Sequence, residues 1–286
     1  MDRGVFLNQS YYIKIMKERY HVDFQEVWRS TLSHKSEYDQ RRAFDDKVEA
    51  AFWKDHSHKY DKIPSLIDYA PEVFDRLLEI TGRDKELIEF GCGTGKFTIP
   101  MSAYHKKIIG VDFSKDMLAQ MQTKLEAQSI HNVELLHRKL EEVLLKPADV
   151  VYGINANYRM LNIRSAIEKM QELAKERVVI VWTMQRSPYD EILNRTPVKG
   201  IGRGQEYIQL LNVLYEMGID PSMEMLTVTK PIVIDSLPDH CRALEEISNK
   251  NGLDLEPLLE NFEAGLINKD DKRIYQCPLK VAMIYF

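Results

Sequence analysis

Leu87-Ile88-Glu89-Phe90-Gly91-Cys92-Gly93-Thr94-Gly95 decides how this chain folds. An apolar run delivers an acidic residue and then three glycines at alternate positions, with a helix-like stretch behind them. Glycine has no Cβ, so the backbone can turn sharply and come within contact distance of a bound molecule. The first turn of the following helix adds free N–H groups and a partial positive charge. Strand, glycine turn and helix together make a seat for a nucleotide-type ligand.

The spacing narrows the ligand. A dinucleotide fingerprint, G-x-G-x-x-G, places its third glycine where this chain has Lys96. A P-loop, G-x-x-x-x-G-K-[ST], is not met by Gly91 followed by Lys96 and Phe97. Downstream, Ile108-Ile109-Gly110-Val111-Asp112 reads as a buried strand ending in a carboxylate. It lies roughly 20 residues on, where nucleotide-binding α/β folds keep the acid that accepts from ribose hydroxyls. Phe113-Ser114 then lead into Lys115-Asp116-Met117-Leu118, with Ser114 as helix cap. Two motifs in register, covering about 60–182, resemble those of the class I S-adenosylmethionine-dependent methyltransferases of small-molecule type.

Outward from that segment, strands are expected at 87–90, 108–111, 133–136, 149–154 and 177–182, with helices at 96–104, 115–128 and 166–175. Short continuous apolar strands alternating with helices indicate a parallel sheet covered on both faces. Pro100 should kink or shorten the first of these helices. Upstream, 12–28 reads as helical, Phe44, Val48, Ala51 and Phe52 form a helical stripe, and Pro71 opens a helix that Gly82 stops. Downstream come a helix at 205–217, strands at 223–229 and 279–285, and between them helices at 237–249 and 255–266. The resemblance implies an α/β, Rossmann-like, doubly wound and mostly parallel seven-stranded sheet. A helical N-terminal cap (1–70) precedes the methyltransferase domain (71–286), and a helical insert precedes the last strand. Segments 185–222 and 236–275 are expected to shape an acceptor pocket.

S-adenosylmethionine carries a sulfonium, an amino-acid end, a ribose diol and an adenine, and the resemblance assigns residues to each. Main chain at Gly91, Cys92, Gly93 and Gly95 approaches the methionine end and ribose. Asp112 accepts from both ribose hydroxyls, with Phe113 and Met117 beside it; a simple helix-capping role is the other reading. Glu89 either reaches the ammonium through water or serves the loop structurally. At the exit of the third strand Lys139 stands where the family often has an acid, so the Leu140 N–H is left to bond adenine, with Glu141 the nearest alternative acid. Tyr60, in Trp53-Lys54-Asp55-His56-Ser57-His58-Lys59-Tyr60-Asp61, is placed over the sulfonium, because ring quadrupoles attract cations; packing of the cap by Trp53 and Tyr60 is the alternative.

The acceptor side is quieter. Asn155-Ala156-Asn157-Tyr158 ends the fourth strand but lacks both prolines of the N/D-P-P-Y motif. Asn155 is expected to touch cofactor or acceptor, and Asn155, Tyr158 and His56 are the catalytic candidates. Gly200-Ile201-Gly202-Arg203-Gly204 could seat an anion or hinge a lid. The donor's methyl is already activated, so positioning for in-line attack can supply most of the rate without a strong base.

Bulk properties bound the partners. A net charge of −5 provides no global positive field for a nucleic acid, which is therefore not expected as the main partner. Three scattered cysteines, Cys92, Cys241 and Cys277, suit reduced thiols and present no metal-ligand spacing. The N-terminus is too poor in apolar residues for a signal peptide, and no membrane span is legible. The expectation is a cytoplasmic monomer or homodimer that methylates a small molecule and releases S-adenosylhomocysteine. A protein or tRNA methyltransferase, and a non-catalytic S-adenosylmethionine-binding module, are the alternatives.

Overall fold

A computed structural model describes residues 9–33, 37–61, 71–156, 159–184, 189, 192–193 and 206–286. Tyr158, the 200–204 loop and most of 185–205 lie outside the described residues.

Five parallel strands form one side of the sheet, with β3 at its edge: β1 (Glu86–Phe90), β2 (Lys107–Asp112), β3 (Val133–His137), β4 (Ala148–Ile154) and β5 (Ala174–Thr183). Three more strands follow: β6 (Ser222–Val233), β7 (Leu266–Lys269) and β8 (Lys272–Tyr285). The order is β3-β2-β1-β4-β5-β8-β6, with β8 antiparallel to both β5 and β6. The doubly wound α/β reading holds, with one addition to the seven expected strands. Asp270 and Asp271 take φ of 50° and 60°, a two-residue turn whose twist suits a hairpin, and it folds β7 back along β8.

Burial on both faces explains the apolar strands. Along β1, Leu87 packs into one core with Leu77, Met101 and Tyr152, while Ile88 and Phe90 face a second core with Ile163, Ile180 and Trp28. Around the sheet lie α5 (Pro71–Thr81), α6 (Thr98–Ser102), α7 (Lys115–Ala127), α8 (Ile163–Leu173), α9 (Glu206–Glu216), α10 (Leu237–Asn251) and α11 (Leu255–Ala264). Pro100 confines α6 to five residues, shorter than the 96–104 stretch expected. Ser114 caps α7 by accepting from the Met117 N–H at 3.3 Å.

Four helices precede the sheet: α1 (Gln9–Tyr20), α2 (Phe24–Ser33), α3 (Glu37–Phe44) and α4 (Asp46–Tyr60). The single run expected at 12–28 breaks at His21, whose φ is 53°. The expected stripe Phe44, Val48, Ala51, Phe52 also fails. Asp45 intervenes as an N-cap, accepting from the N–H groups of Lys47 and Val48, so Phe44 ends one helix and Val48 belongs to the next. Phe44 is 49% exposed, and the buried residues of α4 are Glu49 and Ser57.

The four helices do different work. The pair α1 and α2 joins the body by packing on α9, with Trp28 fully buried. Its ring stands edge-on to Trp182 at 5.8 Å, and its indole N–H donates to the Met160 carbonyl at 2.7 Å. The pair α3 and α4 instead lies over the carboxyl ends of the strands, α4 resting on α7.

Candidate functional site

A cavity of about 870 Å³ opens at the carboxyl ends of β1, β2, β4 and β5, where open α/β sheets gather their ligands. It sits near the top of the roughly 300–1,000 Å³ typical of small-molecule sites. The floor is the glycine turn, the far rim is the ends of β4 and β5, and residues of α3 and α4 form the roof.

The turn is built from main chain. Gly91 has φ of 68°, and a Cβ there would lie 2.6 Å from that of Ala156. Gly93 has φ of 54° and faces the Met117 side chain, so a side chain there would be strained and would point toward the α7 wall. Gly95 packs against Met121. The N–H groups of Gly91 and Cys92 donate to the Val111 carbonyl at 2.8 and 3.2 Å, tying the turn to the end of β2. Gly95 does not border the cavity, so its expected cofactor contact is replaced by packing on α7 and α6. The main chain at Gly91 and Gly93, where a Cβ would be crowded or strained, fits an adenosyl ligand pressed against backbone.

Asp112 both frames the turn and lines the cavity. Its Oδ2 accepts from the Gly93 N–H at 2.9 Å and its Oδ1 from the Ser114 N–H at 2.8 Å. Burial raises its pKa, and those hydrogen bonds pull the other way. Each carboxylate oxygen has a second lone pair, so capacity remains for a diol. Met117 and Phe113 line the same wall.

Glu89 lies underneath, 3% exposed, accepting from the Thr98 hydroxyl at 2.5 Å and the Tyr152 hydroxyl at 2.7 Å. It joins β1 to α6 and β4, as its structural reading required, while also bordering the cavity. Burial lifts its pKa to about 7. Burial, with Asp112 and Glu89 adding to it, likewise keeps the Cys92 thiol protonated.

At the β3 exit Leu140 and Glu141 border the cavity in a 3-10 turn, Leu140–Glu142. Lys139 is turned to the roof, where it pairs with Asp46. Arg159 joins the same carboxylate, its Nη2 donating to Asp46 Oδ1 at 2.9 Å. The Lys139 hydrogen bond first, and then Arg159, hold the Asp46 carboxyl below its usual range.

Tyr60 borders the cavity with Trp53 edge-on at 5.5 Å. The Lys96 ammonium lies 4.3 Å from the Tyr60 ring centroid, so a cation already meets the face to which the resemblance assigns a sulfonium. Trp53 is oriented by its indole N–H, which donates to Glu49 at 2.8 Å. Glu49 in turn receives Arg42 through Nε at 2.7 Å and Nη2 at 3.2 Å.

The catalytic candidates divide. Asn155 borders the cavity in a left-handed conformation, φ 51°, but both ends of its amide are engaged: Nδ2 donates to Thr183 Oγ1 at 3.1 Å, and Oδ1 accepts from the Thr183 N–H at 2.8 Å. It fastens β4 to β5. His56 sits outside the cavity lining, its ring stacked on Phe52 at 4.0 Å and its Nδ1 2.8 Å from the Phe52 carbonyl. Tyr158 lies outside the described residues. Arg42, Asp46, Trp182 and Thr183 border the cavity without a signal in the sequence, and Arg159, at the end of the segment that follows β4, borders it too. A lone charge on a helix reads as a solvated face, and only the folded partner reveals otherwise.

Residues 87–177 match a family model described as a methyltransferase domain. Over those residues the chain is similar to a methyltransferase domain, in agreement with the two motifs that resemble the class I S-adenosylmethionine-dependent methyltransferases. That family takes S-adenosylmethionine as cofactor and releases S-adenosylhomocysteine. An uncharacterized protein of Haemophilus influenzae is 27% identical over 149 residues, 50% of this chain and 54% of that protein. A tRNA/tmRNA (uracil-C(5))-methyltransferase of Neisseria meningitidis serogroup B is 33% identical over 61 residues, 21% of this chain and 17% of that enzyme. The chain thus spans about half the length of the first of these relatives and less of the second. Among solved structures, magnesium protoporphyrin IX methyltransferase of Synechocystis PCC 6803 with bound S-adenosylmethionine aligns at 13% identity. That alignment covers 92% of this chain and 97% of the other, with a TM-score of 0.42. Among the described residues, no helix is long and apolar enough to cross a membrane, and no cluster of three or more His, Cys, Asp or Glu could hold a metal ion.

Proposed function

We propose that this protein transfers a methyl group to a small molecule enclosed between the glycine turn and the α3–α4 roof. The single observation that carries the reading is the roofed cavity itself. The bound cofactor supplies a methyl activated by its sulfonium, so the chain's task is to hold two reactants in line and keep water away. Gly91, Cys92 and Gly93 take the main-chain side of the cofactor, Asp112 the ribose, and Phe113, Met117 and Leu140 the adenosine end. Trp53, Tyr60, Phe97 and Trp182, all on the cavity wall, offer apolar faces to a small, largely planar acceptor. Asn155 acts by fixing the β4–β5 rim rather than by moving a proton.

A nucleic-acid acceptor is less well supported. Among the described residues five cations line the cavity wall: Arg42 is paired with Glu49, Lys139 and Arg159 share Asp46, Lys96 lies over the Tyr60 ring, and Arg138 donates to the His137 carbonyl. The charge of Arg42, and part of that of Lys139 and Arg159, is answered within the protein rather than presented to phosphates. Methyl transfer from labelled S-adenosylmethionine, assayed against panels of amines, phenols and thiols and against bulk tRNA, tests the choice. Turnover of a small molecule supports the reading; label appearing in tRNA alone would replace it.

A further inference from the structure

Helix α4 is held to the molecule in an unusual way. A surface helix ordinarily stays in place by burying an apolar stripe. The buried positions of α4 are Glu49 and Ser57, and its aromatic residues Trp53 and Tyr60 look onto the cavity. By contrast α2 buries Phe24 and Trp28 in the main core. What secures α4 is charge: the buried Glu49 pairs with Arg42 of α3, and the contacts that reach the sheet and α7 lie at the two ends of the helix.

At the first residue, Asp46 pairs with Lys139 and Arg159. Lys139 immediately precedes Leu140, and the Arg159 guanidinium lies 4.8 Å from the centroid of the Phe113 ring, so one carboxylate gathers the elements assigned to adenine. Arg159 also donates through Nε to the Arg42 carbonyl at 2.9 Å, fastening the end of α3 as well. At the last turn, Asp61 accepts from the Thr94 hydroxyl at 2.7 Å and pairs with the Lys124 ammonium at 2.7 Å. Lys124 completes a ring by donating to the Thr94 carbonyl at 2.5 Å. Thr94, 1% exposed, is the residue between Gly93 and Gly95. Each end of the helix is thus fixed to a part of the molecule that the cofactor itself would touch.

We propose that α4 is a strap, pinned by Asp46 over the adenine end and by Asp61 over the glycine turn, whose release sets the rate of cofactor and product exchange. Asp46 and Asp61 are positioning residues in this scheme, because they act through Arg159, Lys139, Thr94 and Lys124. Their side chains are 50% and 37% exposed, so each pin is weak and sensitive to salt, which suits a fastening that must open every turnover. Because the pins and the cofactor share elements, a seated adenosyl group and a closed strap should favour one another.

The inference rests on the adenosyl reading of the cavity, and two measurements on the full chain separate their failures. The first is amide hydrogen exchange of residues 46–60 without ligand, in the wild type and in Asp46→Asn and Asp61→Asn variants. The second is stopped-flow release of S-adenosylhomocysteine, followed by tryptophan fluorescence. Each substitution is expected to speed exchange within α4 while leaving α5 protected, and to raise the release rate by about twofold to fivefold. Asp46→Glu should restore most of the slow release. Unchanged exchange in α4 would overturn the strap, as would a rise spread over the whole chain with a lower melting midpoint. Wild-type protein that binds no S-adenosylhomocysteine would instead overturn the adenosyl reading, and the exchange arm would still decide the pins.

Discussion

The glycine turn at residues 91–95 and helix α4 face one another across the same crevice, held by different forces. The turn is fixed by backbone: positive φ at Gly91 and Gly93, main-chain bonds to Val111, and the Asp112 carboxylate locking the Gly93 N–H. Nothing in that arrangement can relax without moving a strand of the central sheet. Helix α4 is fixed to α3 by the buried Glu49–Arg42 pair, and to the sheet and α7 by partly exposed charged side chains around Asp46 and Asp61. One wall is therefore rigid, and the other is the one the strap proposal has lifting. An enzyme that must grip a cofactor and yet release its product gains from this asymmetry.

The sharpest way to break the comparison is at the rigid wall. Gly93→Val puts a β-branched residue at φ 54° against Met117, and the combined strain and intrusion should weaken S-adenosylhomocysteine binding by about 100-fold or more. The fold should persist; calorimetry and a melting curve read the two effects separately. Asp112→Ala comes next. Losing hydrogen bonds to a charged group, about 1.5–3 kcal/mol, should cost roughly 10- to 100-fold in the same titration.

Beneath the turn the prediction concerns pH. The Glu89 pKa is raised to about 7 from 4.5, so between those values the native state holds a proton that the unfolded chain has lost. Stability on this account falls as pH rises through that window. His105 works the other way. Buried with neither ring nitrogen partnered, its pKa is lowered to about 4 from 6.5, so stability falls as pH drops through 6.5 toward 4. The two slopes oppose one another between roughly pH 4.5 and 6.5 and hide each other in the wild type. Glu89→Gln should uncover the histidine slope, making the variant gain stability relative to wild type by about 2 kcal/mol between pH 5 and pH 8 in urea titrations. Parallel curves for the two proteins would show that Glu89 titrates normally.

The movable wall should show the smallest effect. Raising ionic strength from low to about 1 M shortens the Debye length to roughly 3 Å, and product release should quicken about twofold through the exposed pins. Donor equilibrium at the Gly93 and Asp112 contacts should change less. Equal salt sensitivity in Asp46→Asn and wild type would detach the effect from that pin.

The same division governs what could be read in the sequence. Gly91, Gly93 and Gly95, Asp112, Ser114, Pro71 and Gly82 all act through local backbone chemistry, and each sits where its residue type placed it. The parallel strands were legible because burial on both faces leaves unbroken apolar runs. Contacts made across the chain were not. Arg159 is 113 residues from Asp46, and Thr94 is 33 from Asp61; no spacing rule links them. The Asp45 cap split a helical stripe that periodicity alone joins, and Asp270-Asp271 turn a hairpin that starts the last strand at Lys272, ahead of the expected 279. Asn155 was found as a rim residue, but its commitment to Thr183 depends on two strand ends that meet only in the sheet.

The central claim is that backbone at Gly91 to Gly93 and the Asp112 carboxylate receive an adenosyl group under α4. Crystals of the full chain grown with saturating S-adenosylhomocysteine test it most directly. The expected density runs along the glycine turn with the ribose hydroxyls on Asp112 and the sulfur beneath Tyr60 and Trp53. Density elsewhere, or a crevice still filled by solvent at saturation, would contradict it.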